Sequence, residues 1–206
     1  MNKQNLPGEK PDAIILAAGT MGKVKLFPKA LLEYEGKTVI EQQIEWLKPF
    51  VNKIVIACHD NEYKEISNAV GEISGVDFSK ETRLLGTAGA VKKALEKTSS
   101  GKILICNVDD LNDIDLNALL GFGTNAICVA NPRLNYGIIE IDNMDIKAFR
   151  EKPIIKEIWA SCGVYLLNRE TALELPEKGS LEKDIFPYLG DLRAFKHFGI
   201  WKTFGK

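Results

Sequence analysis

The order of apolar segments along the chain is the feature that constrains its fold most. From Ala13 onward, short apolar runs of strand length alternate with longer segments whose apolar residues recur at helical spacing. This order predicts parallel strands joined by helices that cover both faces of one sheet. The predicted strands are 13–17, 53–58, 102–106 and 125–130, and the predicted helices are 38–50, 61–70, 87–97 and 116–122.

The pattern changes after Asn131. Shorter β-rich pieces follow at 136–141, 146–149 and 159–167, with a brief helix at 181–188. We interpret 12–206 as a single domain in which 131–206 is an appended mixed portion and not a repeat of 12–130. Residues 1–11 are polar and contain two prolines, which predicts a loosely held arm.

Composition excludes several classes of protein. The chain has 206 residues, 45% of them apolar, and a net charge of −1, so it lacks the basic excess that binds nucleic acid. Its apolar runs are far shorter than the roughly 20 residues that a membrane-spanning helix needs. We therefore expect a cytoplasmic protein that binds neither membranes nor nucleic acid.

The cysteines and histidines do not predict a metal site. Cys58, Cys106, Cys128 and Cys162 lack CxxC spacing and lie in or at the ends of apolar runs, which predicts reduced core residues. His59 and His197 have no second plausible ligand nearby in sequence, so zinc is not expected.

The loop after the first strand carries the strongest local signal of function. Ligands of parallel sheets bind beyond the carboxyl ends of the strands, and Gly19 and Gly22 lie at such an end. Lys23, Lys25 and Lys29 follow within a few residues and predict a cradle for an anion. The spacing matches neither GxGxxG nor the P-loop, and a solvated lysine cluster is the alternative.

Six stretches resemble the sugar-1-phosphate nucleotidyltransferase family in the family's own order. They are LAAGTMGKVKLFPKALLEYEGKTVIEQQIEWL, LLGTAGAVKKAL, ILICNVDDL, FREKP, ASCGVYLLN and GSLEKDIFPYL, and they span about 190 residues. The resemblance implies a three-layer, Rossmann-like fold with a mostly parallel mixed sheet and a small β-rich sugar-binding portion. It implies transfer of a nucleotidyl group from a nucleoside triphosphate to a sugar 1-phosphate, with release of pyrophosphate.

The resemblance also implies roles for individual residues of the nucleotide-binding half, 12–130. Lys29, with Lys23 and Lys25, would bind the phosphates, and Asp109 would bind Mg²⁺, with Asp110 as the fallback ligand. The nucleotide would lie along Ala17, Ala18 and Gly19, and Gly86, Thr87 and Gly89 would meet the base. For this last group, a capped helix start at Thr87 with small residues for close packing is the alternative. For Asp109 the alternative is a turn cap.

The second half, 131–206, would bind the sugar phosphate. Gly137 would let the backbone approach the ring, Glu151 and Glu182 would contact the sugar, Lys152 would pair with the phosphate, and Gly163 would be a small residue beside the sugar. Ordinary exposed charges are the alternative for Glu151, Lys152 and Glu182. The last stretch favours the mannose or heptose guanylyltransferase branch, with the glucose-1-phosphate thymidylyltransferases as the alternative.

Two departures from the family pattern bear on catalysis. The loop arginine is missing, and Lys23 or Lys25 would have to replace its charge without the bidentate fork of a guanidinium. Thr203 stands where the family has a second acidic ligand, although Mg²⁺ commonly uses only one or two carboxylates.

These departures leave other functions open. One is a non-catalytic module that binds nucleotide sugars, and another is a cytidylyltransferase acting on a phosphorylated alcohol. The base, the sugar and a homo-oligomeric state are not decided by the sequence.

Overall fold

The computed structural model describes residues 10–21 and 27–204. The strands are β1 (Asp12–Leu16), β2 (Thr20–Met21), β3 (Phe27–Pro28), β4 (Glu33–Tyr34), β5 (Lys37–Thr38), β6 (Ile54–His59), β7 (Val76–Glu81), β8 (Lys102–Asn107), β9 (Asp110–Asn112), β10 (Ala126–Ala130), β11 (Ile138–Asp142), β12 (Asp145–Arg150), β13 (Ala160–Asn168), β14 (Arg193–Lys196) and β15 (Trp201–Thr203). The α-helices are α1 (Val39–Leu47), α2 (Asp60–Val70), α3 (Gly86–Ala94), α4 (Leu116–Leu120) and α5 (Arg169–Leu173). A π-helical turn occupies Leu181–Ile185, and 3₁₀ turns occupy Lys29–Leu31, Leu95–Lys97 and Phe186–Tyr188.

One seven-stranded sheet organises the molecule. Its strand order is β14-β10-β13-β8-β1-β6-β7, and only β13 runs antiparallel to its neighbours. The central strand β1 pairs in parallel with β6 and β8, so that Ile15 lies opposite both Ile56 and Cys106. The predicted α/β fold with a mostly parallel mixed sheet is confirmed.

The core has two layers because successive residues of β1 point to opposite faces of the sheet. Ile15 packs with Ile40 of α1 on one face, and Ile14 packs with Val91 of α3 on the other. All five residues of β1 are buried, as expected of a central parallel strand. Helices on both faces of the sheet give the three-layer arrangement.

Helix α1 begins where the sequence predicts. Thr38 accepts a hydrogen bond from the Glu41 backbone, and the Glu41 carboxylate accepts one from the Thr38 backbone, which together form a capping box. The hydroxyl and the backbone N–H of Thr38 hold the pKa of Glu41 below its usual value. The helix therefore enters the core in a fixed direction.

The expectation that 131–206 is an appended portion does not hold for β13 and β14. Strand β13 lies in the middle of the sheet, between β8 and β10, and β14 forms one of its edges. The hairpin of β11 and β12 forms a separate two-stranded sheet, and β15 pairs with β9 of the first half. The two halves of the chain thus share one sheet.

The described cysteines are all free and buried, as predicted. Burial is the main cause that raises the pKa of Cys58 to about 12, so its thiol stays protonated at neutral pH. Within residues 10–21 and 27–204, no helix combines the length and the apolar composition needed to cross a bilayer.

We predict that Leu166→Ala on β13 lowers the free energy of unfolding of the whole domain. Leu166 is 1% exposed, and truncating such a leucine costs about 2–5 kcal/mol because it leaves a cavity. Urea unfolding monitored by far-UV circular dichroism measures the change. The control, Leu173→Ala, removes a side chain that is 48% exposed and should change the value by about 0.5 kcal/mol or less. A separate early transition in Leu166→Ala would contradict a shared sheet.

Candidate active site

A cavity of about 350 Å³ opens at the carboxyl ends of the central strands. Because β1 and β8 are parallel neighbours, with Leu16 opposite Asn107, the loops that follow them leave the sheet side by side. Thr87 of α3, Tyr165 of β13 and Glu182 contribute from the other side. The lining residues are Leu16, Ala18, Lys29, Thr87, Asn107, Val108, Asp109, Asp110, Ser161, Tyr165 and Glu182.

Lys29 and Asp109 meet in this cavity. The Lys29 Nζ atom lies 2.8 Å from Asp109 Oδ2, and the two side chains are 25% and 12% exposed. The Lys29 backbone N–H donates to the Gly19 carbonyl, which ties the residue to the first loop. The lysine-bearing loop and the acid were expected to meet at one place, and Lys29 does meet Asp109 there.

The opposite wall is a hydrogen-bond network centred on Glu182. Its Oε2 atom accepts from the hydroxyls of Thr87 and Ser180, both at 2.8 Å, and the Tyr165 hydroxyl lies 3.2 Å from its Oε1 atom. Burial is the main cause that raises the pKa of Tyr165, so this phenol stays a proton donor. Glu182 is thus an organised acceptor although the residue is exposed, and its contact with a sugar stays a prediction.

The residue after Asp109 is also an acid that faces the cavity. Asp110 is 2% exposed and accepts a hydrogen bond of 2.9 Å from the Trp201 indole at Oδ1. At Oδ2 the Asn107 amide lies at the long distance of 3.5 Å. The chain turns at 108–109, which lets two consecutive carboxylates line one cavity.

Gly163 packs against Asp110 and is absent from the residues lining the cavity. A Cβ atom on Gly163 would overlap Asp110 Oδ2 and lie 2.7 Å from its Cβ, and the glycine has a φ of +76°. The prediction that this position must be small is consistent with the structure, but the neighbour that requires it is the acid and not the cavity.

The described residues contain no group of three or more His, Cys, Asp or Glu side chains that could hold a metal ion. Asp109 and Asp110 nevertheless supply two carboxylates at the cavity. This donor set suits Mg²⁺, which uses oxygen ligands and keeps several of its waters or substrate oxygens. It does not suit a structural zinc site, which needs four protein ligands.

The residues of the first loop that were predicted to bind the nucleotide do not all line the same cavity. Ala18 lines the cavity, Ala17 is fully buried, and Gly19 lines a second cavity of about 420 Å³ together with His59 and Glu62. The Gly19 N–H lies 3.3 Å from a Glu62 oxygen. The first loop therefore borders two cavities, and contact with a nucleotide stays a prediction.

Gly86 and Gly89 allow close packing. A Cβ on Gly86 would collide with the Gly179 carbonyl, and one on Gly89 would lie 2.5 Å from the Glu177 carbonyl oxygen. The close-packing alternative therefore holds at both positions, and their contact with the base stays a prediction.

The alternative in which Thr87 caps a helix is wrong. Helix α3 begins at Gly86, its N-cap is Leu85, and no side chain caps it. The Thr87 hydroxyl instead accepts from the Leu181 backbone and donates to Glu182. Thr87 thereby joins the two halves of the chain at the cavity.

Three sugar-side residues lie away from this cavity lining. A Cβ on Gly137 would be 2.9 Å from Glu151 Oε2, so these two are neighbours at the base of the β11–β12 hairpin. Glu151 and Lys152 are exposed, and Lys152 has a φ of 44°, which is uncommon for a residue with a side chain. Lys23 and Lys25 lie in 22–26, outside the described residues.

Thr203, at the position where an acid was expected by resemblance, lies beside the acid loop. It is opposite Asp110 in the pairing of β15 with β9, and its side chain is exposed. The next residue, Phe204, donates its backbone N–H to the Asp109 carbonyl at 2.8 Å. This segment holds the acid loop by its backbone and by the Trp201 indole.

Tyr165 and Ser161 are site residues that the sequence analysis missed. Both lie on β13, four residues apart, and their hydroxyl oxygens are 3.2 Å from each other. Positions four apart on a strand share one face. That parity, applied to ASCGVYLLN, could have placed both hydroxyls together, but only the topology places them beside Asp109.

Comparison with known sequences decides the family. The sequence profile of the nucleotidyl transferase family matches residues 12–192. The chain belongs to the nucleotidyl transferase family. A D-glycero-α-D-manno-heptose 1-phosphate guanylyltransferase of Campylobacter jejuni is 31% identical over 185 residues, which cover 83% of both chains. The resemblance to sugar-1-phosphate nucleotidyltransferases is thus confirmed.

Other relatives of this nucleotidyl transferase are longer or more distant. A probable mannose-1-phosphate guanylyltransferase of Arabidopsis thaliana is 29% identical over 94% of this chain, which spans only 61% of that protein. The structure of HddC from Yersinia pseudotuberculosis complexed with GMP-PN has a TM-score of 0.76 at 24% identity, with 95% of this chain and 94% of that chain covered. At that identity the likeness supports the fold.

We predict that Gly163→Ala destabilises this nucleotidyl transferase by about 3 kcal/mol. The left-handed backbone costs roughly 1–2 kcal/mol for alanine, and overpacking against Asp110 adds about 1–3 kcal/mol. Gly36→Ala is the matched control because its φ is +83° with nothing within 4 Å of the added Cβ, so only the cost of roughly 1–2 kcal/mol applies. Denaturant unfolding compares the two, and equal losses would show that Gly163 does not press on Asp110.

Proposed function

We propose that this protein transfers a guanylyl group from GTP to a sugar 1-phosphate of manno configuration, giving a GDP-sugar and pyrophosphate. The observation that carries the proposal is the contact between Lys29 and Asp109 in a cavity whose other wall is the Glu182 network. This arrangement supports a site in which a cation and a carboxylate would meet a polyphosphate, opposite an ordered acceptor that would meet hydroxyl groups. The heptose and mannose guanylyltransferases among the relatives support the choice of base and sugar.

The reaction needs alignment and neutralisation of charge more than it needs a general base. An oxygen of the sugar phosphate forms a bond to the α-phosphorus of GTP, and the bond to the pyrophosphate oxygen breaks, so pyrophosphate leaves with its electron pair. The attacking oxygen is already an anion, and alignment can supply roughly 7–11 kcal/mol. A Lys29 ammonium in the cavity would stabilise the charge on the phosphates.

Asp109 is proposed to hold Mg²⁺, with Asp110 beside it. When bound, the ion would neutralise phosphate charge and favour departure of pyrophosphate. In the structure the Asp109 carboxylate pairs with Lys29. Binding of substrate would therefore replace this internal pair by two new ones. Lys29 would pair with a phosphate, and Asp109 would pair with the ion.

The Glu182 network is proposed to recognise the sugar. Thr87, Ser180 and Tyr165 fix both carboxylate oxygens of Glu182, so the group is oriented before the substrate arrives. Oriented acceptors discriminate among sugars because a hydroxyl in the wrong configuration cannot reach the position from which it would donate to them. Glu151 and Lys152, at the base of the hairpin, are proposed to contact the sugar phosphate from the outer side.

We predict that Asp109→Asn lowers kcat by about 10²–10³-fold, the scale seen when one preorganised electrostatic contact is removed. The amide keeps the shape of the carboxylate but loses the charge that pairs with Lys29 and would hold the metal ion. Pyrophosphate release measures turnover, and equilibrium dialysis of labelled GTP should show that nucleotide binding is partly retained. Asp142→Asn is the control because Asp142 is exposed on the separate hairpin. Full activity in Asp109→Asn would remove the assigned role.

The substrates are tested with a panel. The protein is incubated with Mg²⁺, each common nucleoside triphosphate, and either a mannose, heptose or glucose 1-phosphate or a phosphorylated alcohol. Binding of GDP-mannose is measured in parallel. Release of pyrophosphate with GTP and a manno sugar is the expected result. Activity with CTP and a phosphorylated alcohol, or binding of a GDP-sugar without any turnover, would replace the proposal.

A further inference from the structure

The side chain of Gln43 reaches from α1 to the loop that carries the acids. Gln43 is 1% exposed, and its Nε2 atom lies 2.7 Å from the Asn107 carbonyl oxygen, 3.0 Å from that of Asp110 and 3.3 Å from that of Val108. These carbonyls surround Asp109 in sequence. One amide group therefore contacts three backbone carbonyls of the loop that carries the proposed metal ligands.

The Gln43 amide supplies hydrogen-bond donors to backbone carbonyls of the loop. The chain leaves β8 at Asn107 and turns before β9, so these buried carbonyls require donors from elsewhere. The Oε1 atom of the same amide is buried without a hydrogen-bond partner in the described structure. An orphaned acceptor is unfavourable, so the donors that this amide gives to the loop carbonyls are the favourable part of its contacts.

Other hydrogen bonds fix the same loop from different directions. The Val108 N–H donates to the Leu16 carbonyl of β1, and Phe204 and Trp201 hold Asp109 and Asp110 from the last strand. Gln43 contacts the loop from a third direction, because it lies on α1, the helix that follows the lysine-bearing loop. It thereby links the element after Lys29 to the element that carries Asp109.

We propose that Gln43 is a positioning residue that fixes the Asp109 carboxylate through the loop backbone and so sets the affinity for the divalent cation. The inference rests on the proposed function, because it concerns the same metal ligands. Residues behind metal ligands commonly change metal affinity or activity by about 10–100-fold when they are replaced.

Gln42 provides a matched control on the same helix. It is also a glutamine whose Nε2 donates to two backbone carbonyls, those of Tyr34 at 2.6 Å and Lys37 at 3.3 Å. Those carbonyls belong to the β4–β5 turn and not to the acid loop. Methionine at either position keeps the length of the side chain and removes the donors, so a general loss of stability should be shared by both variants.

The experiment compares Gln43→Met and Gln42→Met with the wild-type chain. Mn²⁺ titration followed by electron paramagnetic resonance should show affinity lowered by about 10-fold in Gln43→Met and unchanged in Gln42→Met. Amide hydrogen exchange should speed up in peptides covering 107–112 only in Gln43→Met. Gln43→Asn, which withdraws the amide by one methylene, should give an intermediate shift and serves if Gln43→Met does not fold.

Each outcome decides one of the two proposals. Equal Mn²⁺ affinity in wild type and Gln43→Met, equal losses in both methionine variants, or no Mn²⁺ binding by the wild type would overturn the positioning role. Wild-type protein that binds Mn²⁺ but releases no pyrophosphate with any substrate pair would overturn the proposed function alone. The readouts do not require turnover, so the two failures are distinguishable.

Discussion

The contact between the Lys29 ammonium and the Asp109 carboxylate is the interaction on which the candidate site depends. It joins the loops after two neighbouring parallel strands, and it neutralises a carboxylate that is only 12% exposed. An unpaired charge in such a position would be costly, because burial disfavours the charged form. The pair therefore neutralises one of the three carboxylates that line the cavity in the described part of the chain, while Asp110 and Glu182 accept hydrogen bonds from uncharged donors.

The rest of the site is organised by elements that are distant in sequence. Gln43 of α1, Trp201 of β15 and the backbone of β1 all hold the acid loop, while Glu182 is held by Thr87 and Tyr165. The side chains of the site are thus held in place by packed strands and helices, even where they lie on a loop. Such support restricts the motion of charged groups, which favours preorganised electrostatic catalysis.

The sequence predicts the fold well because hydrophobic periodicity and motif order are local. It also predicts which loops carry Lys29 and Asp109, since loops after parallel neighbours share an edge. It does not predict strand β7, whose residues alternate at the sheet edge, or the central place of β13, because pairing partners are not encoded locally. The contacts of Gln43 and Tyr165 with the acid loop stay hidden for the same reason, because Asn107 lies 64 residues from Gln43 and 58 residues from Tyr165.

Thr87 shows a second limit of sequence reasoning. A threonine at a predicted helix start is ordinarily interpreted as a cap, but here tertiary contacts with Leu181 and Glu182 outweigh the local preference. Residues that break a local rule in this way are expected at functional sites.

The central position of β13 has a consequence for how the chain acquires its structure during synthesis. Until Ala160–Asn168 has been made, β8 lacks its antiparallel neighbour and presents an unpaired edge, and β10 has no partner on that side. Exposed edges of this kind invite pairing with other chains. The sheet can therefore close only after residue 168 has left the ribosome, and until then these two strand edges stay open to pairing with other chains.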